Sequence, residues 1–95
     1  MSVATVYMTK FSDEAALKEV SEYYQKHGKT AYPEAEALIF VQVSPTSGMG
    51  IAMWPSEEIR EKEGLAQRAA FTERFGASIK EHMPYWGEVL VKQIK

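Results

Sequence analysis

Apolar residues recur along this chain in two rhythms, one of period two and one near 3.6, and their order lays out the elements. From Val3 to Phe11 the β-branched and aromatic types crowd together, which predicts a first strand. Ser12 then precedes Asp13 and Glu14. A hydroxyl followed by acids marks a helix start, because both satisfy free amides at the positive helix end. Ala16, Val20, Tyr23, Tyr24 and His27 follow on one helical face. Lys26, His27 and Gly28 predict the end of that helix.

Tyr32-Pro33 breaks the chain, since proline pushes its predecessor out of helical angles. Leu38–Ser44 is predicted as a second strand and Met49–Trp54 as a third, with turn chemistry between them at Pro45–Gly48. Pro55 closes that hairpin, and Ser56 with Glu57 and Glu58 opens a second helix. The pattern predicts helix from 57 to about 83, with Gly64 as a candidate break. Leu65, Ala69, Thr72, Gly76, Ile79 and Met83 form its stripe, flanked by Phe71, Phe75 and His82, with Gln67, Arg74 and Glu81 on the outer side. Pro84 is expected to end the helix, residues 85–87 to turn, and Glu88–Ile94 to form the last strand.

Strand-helix-strand-strand-helix-strand implies an α+β fold: a ferredoxin-like βαββαβ domain spanning residues 1–95, with a four-stranded antiparallel sheet and both helices on one face. The other face of such a sheet is bare. Alternation divides strand one into Ala4, Val6, Met8 and Thr5, Tyr7, Thr9, and strand two into Ile39, Val41, Val43 and Leu38, Phe40, Gln42. The aliphatic sets are expected toward the helices, and Tyr7, Leu38 and Phe40 on the open face. Covering a few hundred Å² of apolar surface is worth several kcal/mol. A second copy is the simplest cover, so a homodimer through the open sheet face is expected, with a cavity between the paired sheets.

Composition sharpens this picture. The chain has 95 residues and no cysteine, so disulfides and thiolate metal sites are excluded as supports for a small core. Net charge is −2, which gives no global attraction for phosphate backbones or anionic lipid, and neither nucleic acid nor membrane is expected as a partner. No apolar run approaches the ~20 residues that span a bilayer. The first residues lack a basic segment followed by an apolar one, so the expected location is cytoplasmic.

Trp54-Pro55-Ser56-Glu57-Glu58, at the junction of strand three and helix two, resembles the Trp-x-Ser-x-Glu junction of the antibiotic-biosynthesis-monooxygenase-like group of the dimeric α/β-barrel superfamily. Met83-Pro84 followed by Gly87-Glu88-Val89-Leu90-Val91 is similar to the closing segment of small members without an assigned activity. The resemblance implies a homodimer of face-to-face sheets with a pocket between sheet and helices. It also implies a choice of activities, including oxygenation of aromatic quinols without metal or flavin, and haem degradation. The chain departs from the pattern in having no asparagine, a residue on which those activities rely. Glu63-Gly64-Leu65 stands where a haem-binding histidine would fall. Haem degradation is disfavoured and quinol oxygenation weakened.

The candidate ligand-binding residues are Tyr7, Phe40, Trp54, Phe71 and Phe75: aromatic walls with one phenol. His82 and Tyr7 are the candidates for catalysis, His82 as a base. Each has a plainer reading, as core or interface aromatics and as a histidine complementing a helix end. The histidines are far apart with no third ligand at suitable spacing, so no metal is expected, and the resemblance to oxygenases that work without metal or flavin implies no cofactor. Ser12, Ser44 and Ser56 have turn or capping explanations, and Gly48-Met49-Gly50 is too short for a phosphate loop. Three functions stand open: a binder of a small aromatic or phenolic molecule that is a cofactor-independent monooxygenase, a non-catalytic structural or regulatory dimer, and, least favoured, an RNA-recognition-like domain.

Overall fold

A computed structural model describes residues 1–94. Its elements are β1 (Val3–Phe11), α1 (Glu14–Ala31), β2 (Ala37–Ser44), β3 (Ser47–Trp54), α2 (Glu57–Phe75), a short 3₁₀ turn (Gly76–Ser78) and β4 (Ile79–Glu88). The strands pair antiparallel in the order β2-β3-β1-β4, with β1 in the interior beside β3 and β4. This is the βαββαβ order of a ferredoxin-like α+β fold. Among the described residues no helix is long and apolar enough to cross a membrane.

The helix starts follow their caps. Asp13, not Ser12, caps α1: its carboxylate accepts from the Ala16 amide at 2.8 Å. Ser56 caps α2 and accepts from the Ile59 amide. α1 runs past Gly28 and stops at Tyr32, which precedes Pro33 and has left helical angles. Gly28 is used for packing instead of termination. A Cβ there would meet Leu38 Cδ2 at 3.0 Å, so its bare backbone lets α1 settle onto β2.

The second helix departs most from expectation. It passes Gly64 unbroken but ends at Phe75, and Ile79–Glu88 forms β4 where a helix end and a turn were expected. The stretch Ile79-Lys80-Glu81-His82-Met83 fits both periods, and nine residue pairs with β1 decide for the strand. Pro84 is tolerated because β4 is an edge strand. Residues 89–94, expected as the last strand, follow it without regular structure, tied back by the Val89 amide to the Ser2 carbonyl.

The two faces of the sheet are the reverse of those expected. Tyr7, Leu38 and Phe40 lie under the helices. The open face carries Val6, Met8, Ile39, Val41, Val43, Ile51, Met83 and Tyr85. Alternation separates two sets of side chains but does not label them. Glycine decides: Cβ atoms at Gly48 and Gly50 would collide with the rings of Phe40 and Tyr7. The aromatic layer therefore lies over bare β3 backbone on the helix side. Ile39 is 51% exposed and Val41 48%.

The core is split in two. At one end Phe11, Ala16, Leu17, Val20 and Phe75 pack together. At the other Val3, Ala52 and Trp54 pack with Leu38 and Ile59. Between its ends α2 stands away from the sheet, and Phe75 is its one buried residue.

Candidate functional site

The gap under α2 is a cavity of about 930 Å³. It lies between the two core clusters, and each wall belongs to one element. Tyr7 on β1 and Trp54 on β3 form the floor, and Tyr24 and Tyr32 close the α1 side. His82 and Trp86 rise from β4, and Arg60, Arg68 and Phe71 descend from α2. Its size is that of the sites that enclose drug-sized ligands.

Of the expected ligand residues, Tyr7, Trp54 and Phe71 are brought together on this cavity. Phe40 and Phe75 lie behind it in the core cluster, Phe40 5.3 Å from the Tyr24 ring and Phe75 5.1 Å from the Phe71 ring. The cavity thus lies between sheet and helices, as the resemblance implied, and not on the open sheet face where Tyr7 and Phe40 were expected. His82 reaches it from β4, not from a helix, and so complements no helix end. Gln67, expected on the outer side of α2, also lines it.

Tyr24, Tyr32, Arg60 and Arg68 were not singled out from the sequence as site residues, and Trp86 was weighed only as a cover for a pocket mouth against an anchor of the last strand to a partner subunit. The α2 set had a signal: residues 60, 64, 67, 68 and 71 share one helical face, on which two arginines sit beside a phenylalanine. Tyr24 also stood on the apolar face of α1.

Trp54 is 2% exposed. Its indole N–H donates to Glu63 Oε1 at 3.0 Å, and the other Glu63 oxygen accepts from the Glu34 amide at 3.0 Å. One carboxylate from α2 therefore fixes the ring and ties down the loop after α1. Tyr7 reaches α1 by a phenol-to-phenol hydrogen bond, donating to Tyr24 at 3.0 Å. Burial raises the Tyr7 phenol above its ordinary value, with the Tyr24 hydrogen bond acting against it. Tyr24 is raised further, by burial and by the unfavourable proximity of Tyr7 and Tyr32 when ionised. Tyr32 is raised by burial first and Tyr7 second. These phenols are neutral hydrogen-bonding groups at neutral pH.

His82 stands across from Tyr7, ring centroids 5.7 Å apart. Its Nδ1 is 2.8 Å from Oγ1 of Thr9, a buried residue of β1. That bond orients the ring and leaves Nε2 for a ligand. Burial, and then the charge on Arg68, hold His82 below the usual histidine value, so it is neutral at pH 7. A neutral imidazole with one nitrogen engaged can take up or give a proton at the other.

The chain matches no protein-family model, and no curated protein matches it in sequence. Solved structures do resemble it over nearly its whole length. A monooxygenase from the gene ActVA-Orf6 of Streptomyces coelicolor, in complex with nanaomycin D, superposes with a TM-score of 0.77 at 12% identity, covering 99% of this chain and 92% of that one. SnoaB, a cofactor-independent oxygenase from Streptomyces nogalater in mutant form, gives 0.74 at 14% identity, covering 99% and 98%. A dimeric ferredoxin-like protein from an uncultured marine organism gives 0.75 at 9%, covering 99% and 92%. Structures of unknown function share the fold too, among them one from Nitrosomonas europaea. The chain thus has the ferredoxin-like fold of the antibiotic biosynthesis monooxygenases.

Proposed function

We propose that this protein binds a small aromatic or phenolic molecule in the cavity beneath α2, and that it works as a homodimer joined through its open sheet face. The observation that carries the binding reading is the cavity itself. A helix that buries one residue and holds an aromatic chamber open between two cores gives up apolar contact along most of its length. A folded domain of marginal stability keeps such a space where a ligand fills it.

The dimer rests on the open face. Val6, Met8, Ile39, Val41, Ile51 and Met83 are neighbours across all four strands. That flat aliphatic layer suits a second sheet better than it suits water, at about 25 cal/mol per Å² covered. It presents no row of aromatic rings for stacking bases, which disfavours the RNA-binding alternative.

The reaction that fits the site is oxygenation of the bound phenol without metal or flavin. Neutral His82 is placed to accept the phenol proton. The resulting anion is the electron donor to O₂, one oxygen atom ending on the ring as a quinone and the other leaving as water. The chain supplies orientation against the buried Trp54 ring and the buried phenols of Tyr7 and Tyr24. SnoaB, of the same fold, is a cofactor-independent oxygenase. The non-catalytic reading differs in one outcome, binding without turnover.

The test is a thermal-shift screen of phenols and quinols, followed by oxygen uptake and product analysis on the hits. A raised Tm with oxygen consumed and a quinone formed is the expected result. A raised Tm without oxygen uptake leaves a binding protein, and no shift with any aromatic overturns the reading.

A further inference from the structure

The cavity is aromatic on the sheet side, but its α2 wall is charged. Three ionic side chains of that helix line it: Arg60, Glu61 and Arg68. Arg60 is already committed. Its Nε donates to Glu57 at 3.0 Å, and its guanidinium lies 5.4 Å from the centre of the Trp86 ring. Arg68 is different: it forms no ion pair among the described residues. Its charge nevertheless reaches His82 across the cavity, where it works against protonation of that ring. Arg68 on α2 and His82 on β4 thus line one cavity, one a guanidinium without a carboxylate and the other an imidazole with only Nδ1 engaged.

We propose that Arg68 and His82 form an oxyanion clamp, so that the cavity takes its aromatic ligand as an anion, a phenolate or carboxylate, with the charged oxygen between the Arg68 guanidinium and His82 Nε2. The inference rests on the proposed aromatic ligand and narrows it to one charge class. A guanidinium offers fixed, paired donors that suit a carboxylate or phenolate oxygen. The Thr9 hydroxyl can accept from Nδ1 or donate to it, so the neutral ring can present Nε2 bare to a phenol proton or, facing a bound anion, carry its proton on Nε2 and donate as well. Glu61 on the same wall opposes the anion and Arg60 is held by Glu57, so Arg68 is the cation left to meet it. Orientation follows from the placement of the clamp: the charged end points to β4 and the ring body toward Trp54 and Tyr7.

The probes are 2-naphthoate and its neutral counterpart 2-naphthamide, titrated by calorimetry into the wild-type protein, Arg68→Gln, His82→Gln and Lys62→Gln. Lys62 is an exposed cation of the same helix outside the cavity lining. The acid is expected to bind at least about ten-fold more tightly than the amide, a difference of about 1.4 kcal/mol. Arg68→Gln should abolish that preference, His82→Gln reduce it, and Lys62→Gln leave it. Near-ultraviolet circular dichroism checks that each variant keeps its aromatic packing. Acid and amide binding equally to the wild type, or a preference that survives Arg68→Gln, overturns the clamp while leaving the aromatic site. Failure of both probes to bind overturns the aromatic site and the clamp with it.

Discussion

The Tyr7 ring lies across the bare backbone of Gly50, in the space a Cβ at that position would need. The two residues are paired partners on β1 and β3. From there the phenol reaches Tyr24 on α1. Leaning toward β3, Tyr7 vacates the ground above β1 and β4, and the cavity occupies it.

Gly50→Ala should therefore destabilise the fold by about 1–3 kcal/mol, as an overpacked core position does. Tyr7→Ala removes the ring that the new methyl would strike. In a double-mutant cycle the two changes should cost less together than the sum of their separate effects. Urea unfolding of the four proteins measures this, and strict additivity would show that ring and glycine do not meet.

Glu63 accepts from both the Trp54 indole and the Glu34 amide. Glu63→Ala leaves a buried indole N–H without its partner, at a cost of about 1–3 kcal/mol. Glu63→Gln keeps one acceptor oxygen and should cost less. Unfolding free energies rank the two variants, and the Trp54 emission should shift only in the alanine form.

Tyr7, Tyr24 and Tyr32 are all raised above the ordinary phenol value, burial being the first cause in each. An acid whose folded value is raised contributes stability in full below its unfolded value, near 10, and loses it as pH climbs. Stability should hold through neutral pH and decline above about pH 10. In a spectrophotometric titration these phenols should ionise together with unfolding. Their ionisation in an intact fold would contradict the buried phenol cluster.

Val41 is 48% exposed on the open face, on edge strand β2, paired with Met49 of β3. Val41→Lys places a charge where two sheets would meet. Sedimentation should find wild type as a dimer at micromolar concentration and Val41→Lys as a monomer with unchanged far-ultraviolet circular dichroism. A wild-type monomer would contradict the pairing.

Much of this fold was legible in the chain. The first three strands, both helix starts and the fold implied by the resemblance all correspond to the structure. Two features were not legible, for related reasons. Residues 79–83 satisfy helical and strand periods alike, and only pairing with β1, distant in sequence, resolves them. The choice between sheet faces likewise depends on Gly48 and Gly50, whose vacant volume acquires meaning only once Phe40 and Tyr7 are laid over it. The site suffered accordingly. Trp54, Tyr7 and Phe71 could be picked as aromatic walls, but Arg68 and His82 come to line one cavity only once β4 is recognised as a strand.

The chain has two tryptophans, Trp54 and Trp86, and both line the cavity. Their indole N–H signals in a proton–nitrogen correlation spectrum are thus direct reporters of the central claim. Titration with 2-naphthol should move both signals to saturation, while amides of Ile39, Val41 and Val43 on the open face stay in place. Shifts confined to those open-face amides, with the indole signals unmoved, would contradict it.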